Sequence, residues 1–179
     1  SKVLPNESIY YVGDTARVPY GNKSKSSILK FSLQITKWLL KQNCKIIVIA
    51  CNTASSLALN YLESNLSTSI TGVIDPAIKR AQMKTRNKQI GVLGTRATIN
   101  SDIYRIRFKE LDEKISVISK ACPLFVPLVE EGFISGPIAR SVTNYYLNEI
   151  KKTDIDTLIL GCTHYPLLAT NISLSLIHI

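Results

Sequence analysis

The sequence predicts an α/β protein with two similar open parallel sheets, and three observations carry that expectation. Short β-branched and aliphatic runs alternate with stretches of helical period, the order of parallel strands covered by helices on both faces. The alternation occurs twice, with a boundary at Asp75-Pro76. In each half one run ends in a cysteine followed by small polar residues. Lys45-Ile46-Ile47-Val48-Ile49-Ala50 leads into Cys51-Asn52-Thr53, and Asp156-Thr157-Leu158-Ile159-Leu160-Gly161 leads into Cys162-Thr163-His164.

Taken in order, Ser8-Ile9-Tyr10-Tyr11-Val12 is expected to be a short strand, and Val18-Pro19-Tyr20-Gly21 a turn. Ser24 or Ser26 caps a helix that runs towards Asn43 with Ile28, Phe31, Ile35, Trp38 and Leu39 on its apolar face. The first cysteine run is a strand buried on two faces. A helix over about 53–65 and a strand through Thr71-Gly72-Val73-Ile74 follow. Proline suits the first turn of the next helix, so a new unit starts at Asp75-Pro76. Beyond the basic stretch 84–88 come a strand at Gln89-Ile90-Gly91-Val92-Leu93, a turn at Gly94-Thr95 and one helix over about 97–111. Next are a strand at 115–119, a helix over about 137–151 and the second cysteine strand. The tail, 171–179, alternates polar and apolar residues as a half-buried strand does. The expected domains are 1–75 and 76–179.

The chain has 179 residues, 45% hydrophobic and 20% charged, the composition of an ordinary soluble globular protein. No apolar run approaches the roughly 18 residues that span a bilayer, and no signal peptide is visible, so no membrane partner is expected. The formal charge of +9 is scattered, without an aromatic and basic stripe, and is read as a solvated surface rather than a nucleic-acid site. Four cysteines and two histidines include no CxxC pair, so no structural metal is expected. Reduced thiols in a cytoplasmic setting are the default.

Strand ends at the carboxyl edge of an open α/β sheet are where ligands bind. Two thiols at two such ends suggest one shared site. A single cysteine with a distant histidine would suggest acyl transfer. A pair suggests inversion of a carbon bearing an acidic hydrogen, with a base on one face and an acid on the other. An unperturbed thiol ionises near about 8.5, so the field of a helix N-terminus is expected to hold one as thiolate. Asn52, Thr53 and Thr163 are short donors suited to a carboxylate, or equally ordinary helix caps. His164 either polarises Cys162 or is satisfied by backbone. Asp14 and Glu130 are either acidic partners of the site or ordinary loop charges.

Five motifs in order resemble the bacterial glutamate racemase family, in the aspartate/glutamate racemase superfamily: Gly13-Asp14-Thr15-Ala16-Arg17-Val18-Pro19-Tyr20-Gly21, Ala50-Cys51-Asn52-Thr53-Ala54-Ser55, Gly91-Val92-Leu93-Gly94-Thr95, 122–132, and 160–168. The resemblance runs from about Leu4 to Leu168. It implies two domains with an active site in the cleft between them, and cofactor-independent interconversion of L- and D-glutamate for peptidoglycan synthesis. It also implies catalysis by Cys51 and Cys162 with help from His164. Substrate would be bound by Pro19, Tyr20, Gly21, Asn52, Thr53 and Thr163, with Asp14 and Glu130 in support. Family members have an Asp-Ser-Gly loop before the first of these motifs and continue past the last. Against that pattern the chain is expected to be truncated at both ends, with the first domain incomplete. The unpaired strand edges this leaves make a homodimer an expectation, and an inactive fragment or an aspartate racemase are the alternatives to glutamate turnover.

Overall fold

A computed structural model describes residues 3–176. It has the expected fold class: open parallel sheets covered by helices, with no closed barrel. After a single-turn helix at Tyr20–Asn22, the elements run α1 (Lys25–Leu40), β1 (Ile46–Ile49), α2 (Asn52–Asn65), β2 (Ser69–Gly72) and α3 (Ile74–Lys84). There follow β3 (Gln89–Gly94), α4 (Arg96–Asn100), α5 (Ile103–Leu111), β4 (Ser116–Ala121), α6 (Phe125–Glu130), α7 (Gly136–Leu147), β5 (Thr157–Gly161) and α8 (Ala169–Ser175). One sheet pairs β1 with β2, and the other has the order β4-β3-β5, all parallel.

The three-stranded sheet is buried on both faces, as the near-continuous apolar runs require. Ile90, Val92 and Ile159 point to one face, where Ile78 of α3 and Tyr104 and Phe108 of α5 cover them. Leu93, Leu158 and Leu160 point to the other, beneath Phe125, Leu147 and Ile172 from α6, α7 and α8. The period-two orientation of strand side chains accounts for this division. β1 departs from expectation. Ile47 is buried, but Ile46 and Val48 are 48% and 58% exposed, because α1 and α2 cover only one face of the β1-β2 pair among the described residues.

Other expectations are corrected in detail. Ser8–Val12 forms no strand: Ile9, Tyr10 and Tyr11 are exposed, and the segment pairs with no strand among the described residues. Strand propensity cannot make a ladder without a partner. In α1 the inward line is Ile28, Ser32 and Thr36, and Trp38 is exposed. Packing on α2 decides that rotation, and propensity does not. β2 lies two residues earlier than expected, because α3 already begins at Ile74, with Asp75 in its first turn. The helix expected over 97–111 is broken at Asp102, whose φ of 54° is left-handed, giving α4 and α5. The tail is helical in the described part. Leu168, Ile172 and Leu176 fall four apart and bury together, and that spacing wins over the two-residue alternation. Residues 177–179 of the expected strand lie outside the described residues.

Candidate active site

Each cysteine sits where a parallel strand gives way to a helical turn, and backbone N–H groups of that turn donate to its carbonyl oxygen, Ser55 to Cys51 and Tyr165 to Cys162. Cys51 is the extended N-cap of α2, with φ −89° and ψ 125°. Its thiol is met by the N–H groups of Thr53 and Ala54 and by the Thr53 hydroxyl. Cys162 follows β5 directly; the N–H groups of His164 and Tyr165 and the Thr163 hydroxyl favour its thiolate, while the Tyr165 N–H itself donates to the Cys162 carbonyl oxygen at 3.2 Å. An ionised Cys51 raises the pKa of Cys162, so the two sulfurs lie within electrostatic reach.

The expectation that a helix N-terminus holds one thiol ionised is not met. Burial pushes Cys51 up and outweighs its three donors, and burial first and the Cys51 charge second push Cys162 up to about 11. Desolvation penalises the anion more than a few hydrogen bonds favour it. A pH dependence follows. The thiolate is the reactive form, so alkylation of Cys162 by iodoacetamide is expected to accelerate about tenfold per pH unit from 7 to 10. Peptide mapping with mass spectrometry reads this directly, and a plateau near pH 8 would refute it. Stability moves the other way. The unfolded chain sheds this proton near 9.0 and the folded chain near 11, so the contribution is present below 9.0 and disappears as pH rises to 11.

His164 joins Cys162 to an acid. Its Nε2 hydrogen-bonds the Glu130 carboxylate, and its Nδ1 lies 3.7 Å from the Cys162 sulfur and 3.4 Å from Thr163 Oγ1. A carboxylate at Nε2 assigns the proton there and leaves Nδ1 as an acceptor facing the thiol. Glu130 ends α6, an element the sequence did not reveal. Val129, Glu130, Thr163, His164 and Leu167 line an open hollow of about 320 Å³ beside this relay. A larger hollow of about 510 Å³, lined by Tyr11, Arg17, Trp38 and their neighbours, contains neither thiol. Neither thiol lines the smaller hollow, which borders the second cysteine segment through Thr163 and His164.

Asp14 reaches the site through an intermediary. Arg17 Nε donates to its carboxylate at 2.8 Å, and the Tyr20 hydroxyl donates to its other oxygen. Burial pushes the Asp14 carboxyl up, but these two partners reverse that and leave it below the usual range. Arg17 in turn lies over the Phe31 ring, 4.3 Å from its centre. Burial, followed by the Asp14 hydrogen bond and charge, raises the Tyr20 phenol, which also feels the charge of Cys51. Tyr20 therefore stays a protonated donor close to the first thiol. The turn Pro19-Tyr20-Gly21 is pressed onto the second sheet's side of the molecule. A Cβ on Gly21 would lie 2.5 Å from Thr95 Cβ, so only glycine permits the approach.

Asn52 and Thr53 face the same seam. Thr53 Oγ1 lies 2.9 Å from Thr95 Oγ1 and 3.3 Å from Thr98 Oγ1, a buried cluster of three hydroxyls. Asn52 Oδ1 accepts a 2.5 Å bond from the Tyr104 hydroxyl. Thr163 remains exposed. Thr95, Thr98 and Tyr104 were not identified as site residues from sequence. Thr95 was visible as a turn residue closing one of the five motifs, with no role attached, and nothing in the spacing of Tyr104 from Asn52 announces their pairing. Among the described residues no group of three His, Cys, Asp or Glu is arranged to hold a metal ion, and no helix is long and apolar enough to cross a membrane.

Paired strand-end cysteines on an open parallel α/β framework mark the chain as a racemase-type protein. Residues 1–178 match the Asp/Glu/Hydantoin racemase family, and the chain belongs to it. Its relatives include the glutamate racemases of Sulfurihydrogenibium sp. (strain YO3AOP1), 52% identical over 170 residues, and of Aquifex pyrophilus, 52% identical over 164. These alignments take in 94% and 92% of this chain and 65% and 63% of those proteins, so the chain spans less than two thirds of the length of these curated relatives. Among solved structures, a Bacillus anthracis glutamate racemase isoform superposes with a TM-score of 0.94 at 40% identity, over 98% of this chain and 66% of that one. A Francisella tularensis glutamate racemase in complex with D-glutamate superposes with a TM-score of 0.91 at 41% identity, with the same coverage.

Proposed function

We propose that the chain carries the catalytic thiols of a cofactor-independent glutamate racemase that supplies D-glutamate for peptidoglycan from the cytoplasm. The observation that carries this reading is the pair of sulfurs at two parallel strand ends, Cys51 half-buried and Cys162 buried, with the charge of the first felt by the second. Relatives named glutamate racemase, one solved with D-glutamate, support the choice of substrate. The site lies between two α/β domains, 1–75 and 76–179.

In this mechanism one sulfur, as thiolate, removes the α-proton of glutamate from one face. The electron pair of the C–H bond delocalises into the α-carboxylate, and the opposing thiol returns a proton to the other face. Burial suits the donor, since a neutral thiol is what it must present. His164 Nδ1, backed by Glu130, accepts the Cys162 proton when that thiol serves as base. Asn52, Thr53 and Thr163, with the Pro19-Tyr20-Gly21 turn, hold the substrate's carboxylate and ammonium groups. Asp14 anchors Tyr20.

Proton NMR of L-glutamate with the chain in D₂O tests this reading. The α-proton signal is expected to disappear, and to persist when both cysteines are replaced. Parallel samples of L-aspartate separate the two substrates. Persistence of the glutamate signal with the folded, unmodified chain would refute the assignment.

A further inference from the structure

Tyr104 touches both cysteine-bearing segments. Its hydroxyl donates to Asn52 Oδ1 at 2.5 Å, next to Cys51. Its ring edge lies against Gly161, next to Cys162: a Cβ built on Gly161 would meet Tyr104 Cε2 at 3.5 Å and the Leu93 carbonyl oxygen at 2.7 Å. The ring is anchored, since Tyr104 is 3% exposed among Ile78, Ile90, Phe108 and Ile159. Asn52 is 9% exposed, so its amide has little freedom once its oxygen is engaged.

We propose that Tyr104 is a positioning residue that orients the Asn52 amide, turning its NH₂ group towards the substrate's carboxylate. This rests on the racemase reading above. The physical argument is one of donor and acceptor identity. A primary amide has an accepting end and a donating end, and either can face the site. In the structure the Tyr104 hydroxyl donates to Asn52 Oδ1, and an amide held by its oxygen leaves its NH₂ outward. A carboxylate only accepts, so this is the orientation it needs. Without the phenol the amide can turn, and half of its orientations present oxygen to an anion. Contact with Gly161 gives Tyr104 a second consequence: the element that orients Asn52 also abuts the segment that holds Cys162.

The test is steady-state racemisation of glutamate by the wild-type chain, Tyr104→Phe, Asn52→Ala and the double variant, with thermal unfolding of each. Phenylalanine keeps the ring and its contact with Gly161. KM for Tyr104→Phe is expected to rise about five- to tenfold, the worth of one hydrogen bond, while kcat stays within about twofold. In the Asn52→Ala background the same change is expected to leave KM unaltered, because there is no amide left to orient. Additive effects on KM, or an unchanged KM in Tyr104→Phe, would overturn the proposal while the racemase reading stands. A wild-type chain that neither binds glutamate nor exchanges its α-proton would overturn both. One measurement does not depend on the Tyr104 variant folding. In ¹H-¹⁵N spectra of the wild-type chain, the Asn52 side-chain NH₂ signals, assigned by their loss in Asn52→Ala, are expected to shift when glutamate is added; signals that do not move would exclude the amide from the site.

Discussion

Alanine at either Cys51 or Cys162 alone is expected to reduce racemisation by roughly 10²- to 10⁴-fold, the range a positioned acid or base supplies. The two losses should differ in kind. Each variant keeps one sulfur, on one face of the substrate. It can still exchange the α-proton of the enantiomer that presents its hydrogen to that face, returning deuterium to the same face with retention. Cys162 has Nδ1 of His164 within 3.7 Å to take its proton, whereas the donors at Cys51 are N–H groups and a hydroxyl. The two variants are therefore expected to wash out opposite enantiomers of glutamate while neither inverts them. Chiral chromatography alongside α-proton NMR in D₂O separates exchange from inversion. Full inversion by both single variants would sink the two-thiol scheme. Exchange of the same enantiomer by both would sink the assignment of opposed faces.

Truncating Phe125 to alanine is expected to destabilise the chain by about 3–5 kcal/mol, the range for a fully buried aromatic. The side chain is 0% exposed and meets Tyr146 and Tyr165 edge-on, with ring centres 5.3 and 5.1 Å away. Such pairs add to simple burial because a ring's positive edge faces its neighbour's negative face. Tyr165 also donates to the Cys122 carbonyl oxygen at 2.9 Å, and its N–H donates to the Cys162 carbonyl oxygen at 3.2 Å. The cavity therefore opens beneath the loop that carries the second thiol. Urea denaturation should show a lower midpoint at similar slope, and iodoacetamide should reach Cys162 faster in the variant. A change below about 1 kcal/mol would mean that the neighbouring rings collapse into the space, contrary to the packing argument.

Much of the framework was legible because it rests on local pattern. The β3, β4 and β5 runs are short, apolar and separated by helical stretches, and they became the parallel three-stranded sheet. Ser24 was one of two candidate caps and proved to be the one used, accepting from Ser27 N–H. The weaker readings failed where two patterns coexisted or where a partner was needed. The tail carries both a two-residue alternation and a four-residue apolar spacing, and contact with the core chose the second. Ser8–Val12 has the composition of a strand but no neighbour to bond with among the described residues. Phe31 and Trp38 look like core positions of α1, yet Ser32 and Thr36 are buried instead. The Asp102 break is a single left-handed residue inside an otherwise helical stretch, which periodicity does not register.

At the candidate site the division follows the same lines. By itself the sequence determined the chemistry available: two cysteines at strand ends, short donors after each, and a histidine two residues beyond the second. These are consequences of residue order, since a parallel strand and the turn that follows it place their side chains by local geometry alone. Only the tertiary structure decided which groups meet. It brought Glu130 to His164 across 34 residues and Tyr104 to Asn52 across 52. It set Asp14 behind Tyr20 rather than beside Cys51, and raised both thiols by burying them. Hydrogen bonding and desolvation depend on distances between segments remote in sequence. Those distances exist only once the two sheets have packed.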